Sequence, residues 1–325
     1  MPKVPSSARG ARFTGWGLAL PERVVTNDEL SKTMETSDEW IRERTGIHRR
    51  HVGGSTMSLS VESARKAIAM AGIAPSDIDA LVLATTTPDR QVPATSAAVA
   101  RELGLSCGAF DINAACSGFV YALAVAHGLI AIGSQKVLLV GTDTLSRITD
   151  WTDRNTAVLF ADGSGAAVLE AVDGAGHLLA WDLDADGSAE DLLYAEIGGN
   201  IHMDGKEVFR RAVRIMVDSA QKSLAIAGVS GDDIALVVPH QANTRIIDAA
   251  CDRLGIPKER TAVVLHETGN TSSASIPLAL FDAATDGAMS GRRLHDGDLV
   301  LMVGFGAGMT AASAIIRWSS KEVSK

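Results

Sequence analysis

Four stretches from the first half of this 325-residue chain return, in the same order, in the second. "SARKAIAMAGIAPSDIDALVL" (63–83) is matched by "SAQKSLAIAGVSGDDIALVV" (219–238), and "RELGL" (101–105) by "DRLGI" (252–256). "ACSGFVYAL" (115–123) is matched by "GNTSSASIPLAL" (269–280), and "KVLLVG" (136–141) by "LVLMVG" (299–304). The offset stays at roughly 150–160 residues, and a shared order is what a duplication leaves behind and chance likeness does not. The chain is therefore expected to fold as two related halves, 1–174 and 175–325. In the longest repeat each copy reads as a helix ending in Ala-Gly, a short polar loop and a buried strand. Gly72 and Gly228 fall where a helix C-cap needs a left-handed residue.

Apolar runs of strand length recur at 80–87, 136–141, 234–240 and 299–305. They are β-branched and apolar on both faces, as strands covered by helices on each side should be. Helical segments rich in small residues lie between them, at 57–72, 95–104, 117–132 and 206–227. That alternation means α/β architecture. Hydrophobic residues make up 46% of the chain, enough for a large core, while aromatics are only 4%, so close packing through small side chains is expected.

Several function classes are disfavoured. A net charge of −9 argues against general nucleic-acid binding. No apolar run reaches the roughly 18 residues of a membrane span. The basic opening "MPKVPSSARGARF" has no apolar stretch behind it, so it reads as a frayed tail and not a secretory signal. Three cysteines without CxxC spacing fit a reducing cytosol and no disulfide framework. The histidines show no metal-ligand pairing. Gly304, Gly306 and Gly308 form GxGxG near the C-terminus with no acidic residue following, which does not fit a dinucleotide loop.

Three residues carry candidate chemistry. Cys116 stands at the start of a helix, where first-turn N–H groups and the helix dipole favour a thiolate; a small core residue is the other reading. His240 ends a strand of the second half, as a site residue or a satisfied half-buried histidine. Asn270 heads the second-half helix equivalent to that of Cys116, as a site residue or a cap. Ligands in open α/β sheets bind beyond the carboxyl ends of strands, so all three can face one site between the halves.

Seven stretches, in order, resemble the thiolase-fold condensing enzymes of the β-ketoacyl-acyl carrier protein synthase III family. They are "PERVVTNDEL" (21–30), "TSDEWIRERTGI" (36–47), "NAACSGFVYAL" (113–123), "FADGSGAAVLE" (160–170), "VPHQANTRI" (238–246), "TGNTSSASIPLAL" (268–280) and "GFGAG" (304–308). The resemblance implies a five-layered αβαβα thiolase fold and a cytoplasmic homodimer without cofactor or metal. It implies a Cys116–His240–Asn270 triad. Cys116 takes an acyl group from acyl-CoA and is then condensed, with loss of CO2, onto malonyl-acyl carrier protein. The glycine-rich loop Phe305–Gly306–Ala307 lies beside the oxyanion, with the Ala307 N–H as donor provided its φ is negative. That loop has no second cysteine, unlike degradative thiolases, and a single triad histidine separates the chain from elongating synthases.

The same resemblance assigns Trp40 and Arg154 to an adenine sandwich, with Arg44 and Asn243 along the CoA channel. Asn155 departs from the family's usual glycine and adds a side chain there. Carrier docking falls to Arg245, with Arg210, Arg211, Arg214 and Arg253 as a local basic patch and Arg253 joining Arg245 two turns on. Val92 stands where many members carry a phenylalanine that closes the acyl pocket across a dimer interface, so bulkier primers are expected. Leu145, Leu159, Phe160, Met203 and Phe209 are further wall candidates. A relative recruited to polyketide or other secondary metabolism is the alternative. A silent partner subunit, which typically lacks the cysteine, and a cysteine hydrolase, whose motifs are not found, fit less well.

Overall fold

The computed structural model describes residues 9–319, so the first eight residues of the basic opening lie outside them. Two sheets form the frame. The first has the strand order Gly10–Ala19, Asp162–Val172, Lys136–Thr144, Ala80–Ala84, Gly108–Ile112. The second has the order Leu236–Pro239, Leu299–Gly306, Thr310–Arg317, Leu178–Ala185. In the first, Ala80–Ala84 runs parallel to both its neighbours. In the second, Leu236–Pro239 runs parallel to Leu299–Gly306.

Period-two burial shows why these runs are apolar throughout. Leu81, Leu83, Leu138 and Val140 pack outward with Val61, Ala64, Ile68 and Val99 of the helices Thr56–Ala71 and Thr95–Leu103. Val82, Val137 and Leu139, on the opposite face, pack inward with Phe119, Leu123, Ile276 and Leu280. Val238, Val300 and Met302 of the second sheet meet that same inner layer. Val237, Leu301 and Val303 face away from it, onto Val213, Met216 and Ile246 of the helices Gly205–Ala227 and Thr244–Leu254. The layers are thus helices, sheet, helices, sheet, helices. Burying each such leucine or isoleucine contributes roughly 1.5–3 kcal/mol.

The central layer is Gly118–Ala131 and Ser275–Thr285. Every residue from Ser275 to Ala283 is buried. A helix pressed between two sheets has no solvent face, which explains its lack of amphipathic patterning. Gly72 and Gly228 close their helices at φ 67° and 69°, as the repeat predicted.

Two expectations are corrected. The strand expected over 80–87 stops at Ala84. Thr86 and Thr87 turn their N–H groups onto the Asp143 side chain (2.7 and 3.1 Å) and leave the ladder. The register of the third repeat also changes. Ala115–Ser117 and Ser272–Ala274 are both 3-10 turns leading into central helices, and their first residues, Ala115 and Ser272, have φ 48° and 50°. Among the described residues these are the only positive-φ residues other than glycine. Cys116 therefore corresponds to Ser273, and Asn270 corresponds to Asn113. The ungapped match is "NAACSGFVYAL" with "NTSSASIPLAL".

Candidate active site

Each central-layer helix is entered through an elbow, and the sequence builds both elbows alike. The Asn113 side-chain oxygen accepts the Ala115 N–H (3.2 Å), and the Asn270 oxygen accepts the Ser272 N–H (3.0 Å). An asparagine bonding two residues ahead mimics a backbone turn and supports the strained left-handed residue that follows. Cys116 sits one residue past that strain, buried at the head of its helix.

Asn270 is fixed through its backbone as well. Its N–H donates to Leu159 O (2.9 Å), and its carbonyl accepts from the Ala161 N–H (2.9 Å). With its side-chain oxygen held by Ser272, the carboxamide NH2 is the group left to serve a ligand. His240 follows the strand Leu236–Pro239, and its Nδ1 lies 2.7 Å from Ser275 Oγ. Its ring meets Phe305 edge-on, with centroids 5.3 Å apart. Cys116, His240 and Asn270 line one cavity of about 620 Å³.

The electrostatics correct the expectation of a resting thiolate. Burial pushes the Cys116 thiol up to about 12, and the Asp143 charge adds to it; the Ser272 hydroxyl and the backbone pull the other way. The helix dipole does not overcome desolvation of a buried sulfur. Burial also lowers His240 to about 3. At neutral pH the site therefore rests as a thiol beside a neutral imidazole.

Glycine is required at 306 for lack of room. A Cβ there would lie 2.6 Å from Cys116 N and 2.7 Å from the Ala115 Cβ. Ala307, the next residue, is not among the positive-φ residues and so meets the condition set for it. Phe305 lines the larger cavity with Cys116, and Ala307 lines a second cavity of about 380 Å³ that also reaches Cys116.

At the mouth of the larger cavity, Ser37 caps the helix Asp38–Thr45 by accepting the Trp40 N–H (3.1 Å). The guanidinium carbons of Arg44 and Arg154 stand 4.9 and 4.7 Å from the Trp40 ring centroid. Arg154 also donates to Glu35 O (2.8 Å). Asn243 links this helix to the next: its side-chain NH2 donates to Arg44 O, and its oxygen caps Thr244–Leu254. Asn155 lies in the short helix Arg154–Ala157, with its amide on Asp153 (3.1 Å), so its backbone is not one that calls for glycine.

The basic residues divide. Arg245 lines the large cavity, its guanidinium 5.5 Å from the Phe209 ring. Arg210, Arg211, Arg214 and Arg253 line a separate recess of about 290 Å³, so Arg253 joins that group and not Arg245. Arg210 pairs with Glu207 and Arg211 with Asp186. The wall candidates divide too. Leu145 lines the second cavity, Leu159, Met203 and Phe209 line the first, and Phe160 lines both. Val92 is 83% exposed and lines neither cavity.

Sequence reasoning missed Ser275, Ser272 and Asp143. A serine in "NTSSAS" and an aspartate in "GTDT" carry no signal of their own. The ungapped Asn113–Asn270 match was the one feature that could have singled out this elbow.

No cluster of three or more His, Cys, Asp or Glu that could hold a metal exists among the described residues. Two sheets around a central helical layer, with a cysteine elbow from one half and a histidine and asparagine from the other, define a thiolase-fold condensing enzyme. Residues 110–187 match the family model for 3-oxoacyl-[acyl-carrier-protein] synthase III, and residues 224–318 match the model for its C-terminal part. The chain is 48% identical to β-ketoacyl-[acyl-carrier-protein] synthase III of Erythrobacter litoralis, over 95% of this chain and 99% of the relative. It superposes on 3-oxoacyl-[acyl-carrier-protein] synthase III from Aquifex aeolicus VF5 with a TM-score of 0.91 and 42% identity, covering 95% of this chain and all of the other. It is also similar to the priming β-ketosynthase of the R1128 polyketide pathway, with a TM-score of 0.90 and 36% identity over 98% and 99% of the two chains. The chain belongs to the β-ketoacyl-[acyl-carrier-protein] synthase III family and is an acyltransferase of the condensing class.

Proposed function

We propose that this chain initiates fatty-acid synthesis by moving an acyl group from acyl-CoA onto Cys116 and condensing it with malonyl-acyl carrier protein. The observation that carries the reading is the convergence of Cys116, His240 and Asn270 on one cavity whose mouth holds Trp40, Arg44 and Arg154. A tryptophan face between guanidinium groups suits a planar base and its phosphates.

In the first half-reaction the Cys116 sulfur attacks the thioester carbon, the C–S bond to CoA breaks, and CoA leaves as a thiol. A thiol raised to about 12 does not ionise ahead of attack, so its proton leaves as the carbon–sulfur bond forms and ends on the departing CoA sulfur. The tetrahedral oxyanion faces the Cys116 N–H and the loop beside Gly306, with the Ala307 N–H as second donor. In the second half-reaction malonyl thioester loses CO2. The enolate oxygen is held by His240 Nε2–H and the Asn270 NH2. The enolate carbon then attacks acyl-Cys116, and the departing sulfur takes up a proton. A neutral His240 is the form that donates without itself carrying charge. The Ser275 hydroxyl beside Nδ1 can donate or accept, so it can serve either tautomer.

Arg245 at the cavity mouth and the four-arginine recess supply the positive surface an acidic carrier protein needs on a chain of net charge −9. The edge strand Gly108–Ile112, with Phe110 exposed, supports pairing with a second copy as a homodimer. The division at 174 follows the two sheets, whose strands fall within 10–172 and 178–317. No cofactor enters this chemistry. Three cysteines without CxxC spacing support a reducing cytoplasm as the enzyme's compartment. No helix among the described residues is long and apolar enough to cross a membrane.

The test is intact-protein mass after mixing with a panel of acyl-CoAs, with and without malonyl-acyl carrier protein. An adduct on Cys116 that is discharged by malonyl-carrier, with release of a β-ketoacyl product, is expected; the longest primer that forms it measures the second cavity. The likeness to the R1128 priming β-ketosynthase supports a second reading, a starter enzyme of secondary metabolism. That reading predicts the same discharge but a preference for the malonyl-loaded carrier of a secondary-metabolic pathway; an adduct that persists with malonyl-carrier would point to a recruited acyltransferase with a different acceptor.

A further inference from the structure

The duplication places a mirror copy of the catalytic constellation on the other side of the central layer. In the corrected register Ser273 stands where Cys116 does, and Asn113 where Asn270 does. The parallel ladders, Ala80 on Val137 and Leu236 on Val300, put Ala84 in the place of His240. The match of "KVLLVG" with "LVLMVG" puts Asp143 in the place of Gly306. Packing supports these registers. A Cβ on Gly141 would meet Ser273 O and Phe119, and one on Gly304 would meet Cys116 O and Ile276, which are the matched partners.

The two copies differ at one decisive point. Beside the Cys116 N–H stands Gly306, which has no side chain. Beside the Ser273 N–H stands the fully buried Asp143 carboxylate. One of its oxygens accepts from the Thr85, Thr86 and Thr87 hydroxyls (3.1, 2.8 and 3.0 Å) and the Thr86 and Thr87 N–H groups (2.7 and 3.1 Å). The other accepts from the Ser273 N–H (2.9 Å) and hydroxyl (2.7 Å). The turn carrying Asn270 is thereby pinned at Ser272 by its own side chain and at Ser273 by Asp143.

We infer that Asp143 is a positioning residue for the second half-reaction: it fills the mirror site and holds the Ser272–Ser273 turn so that the Asn270 NH2 is aimed into the cavity. The inference rests on the synthase reading above. A buried carboxylate with this many donors has no isosteric substitute, because an asparagine can offer its oxygen to only one of the two donor sets. The five threonine donors outnumber the two on Ser273. In Asp143→Asn the amide NH2 therefore turns toward Ser273, whose N–H loses its acceptor.

The experiment compares Asp143→Asn with the wild-type chain in two half-reactions and one chemical readout. Acylation of Cys116 by acyl-CoA should stay within about threefold, while condensation with malonyl-carrier should fall at least tenfold. Site-resolved alkylation of Cys116 by iodoacetamide should shift its midpoint to lower pH, because the Asp143 charge opposes the thiolate; His240 lines the same cavity and is unchanged in the variant. The midpoint reports the Asp143 charge at Cys116, and the split between the half-reactions reports the positioning, which a general loosening of the fold would not produce. Equal loss in both half-reactions overturns the inference. Should Asp143→Asn fail to fold, Ser273→Ala removes one of the two bonds to the turn and leaves the threonine side intact. It should slow condensation about threefold with acylation unchanged, and unchanged condensation overturns the inference. Wild-type protein that forms no β-ketoacyl product would instead sink the synthase reading, and the alkylation midpoints remain interpretable without it.

Discussion

At the scale of single residues the proposed chemistry depends on a cysteine that is hard to ionise. Its alkylation rate should keep rising with pH well beyond the range of an ordinary thiol near 8.5, because burial pushes it to about 12. Cys116→Ser should abolish the acyl adduct. Asn270→Ala should still form the adduct but lose condensation by about a hundredfold, the usual scale for one oxyanion donor; equal loss in both steps would contradict its role. Gly306→Ala brings a methyl within 2.6 Å of Cys116 N, and should slow acylation by a hundredfold or more while the melting temperature shows that the protein still folds. Cys116 and Gly306 were visible in the sequence as types. The thiol's protonation was not, because it depends on desolvation by residues from both halves.

At the scale of elements, helix ends and elbows position the groups. Trp40 is held by the Ser37 cap and by stacking with Arg44 and Arg154. Trp40→Ala should raise KM for acyl-CoA by roughly tenfold, given the 1–3 kcal/mol typical of base stacking, and leave KM for malonyl-carrier unchanged. Val92 lines neither cavity in a single chain. Val92→Phe should therefore shorten the primer range only if a second copy brings residue 92 to the pocket; an unchanged profile removes it. Strand and helix positions were legible because apolar runs and small-residue helices have distinct lengths. The end of the strand at Ala84 was not, because the competing acceptor is Asp143, more than fifty residues away.

At the scale of the whole molecule, buried neutral histidines tie folding to pH. Burial lowers His240 and His177 to about 3. The unfolded chain takes up their protons below about pH 6.5 and the folded chain does not. Stability is thus fully present above about 6.5 and is lost as pH falls toward 3, at up to roughly 1.4 kcal/mol per pH unit for each imidazole. Urea midpoints measured from pH 7 to 5 should fall steadily, and a flat profile would show that these rings are solvated. Sequence alone determined the duplication, the α/β class, the apolar strands, the cap glycines and the cysteine, histidine and asparagine that line one cavity, since each is written in local pattern and order. Tertiary structure alone decided the register of the two elbows, the split of the arginines, the separation of the wall residues into two cavities and the resting protonation of Cys116. Those depend on which side chains from distant segments exclude water from one another, and no local pattern encodes that.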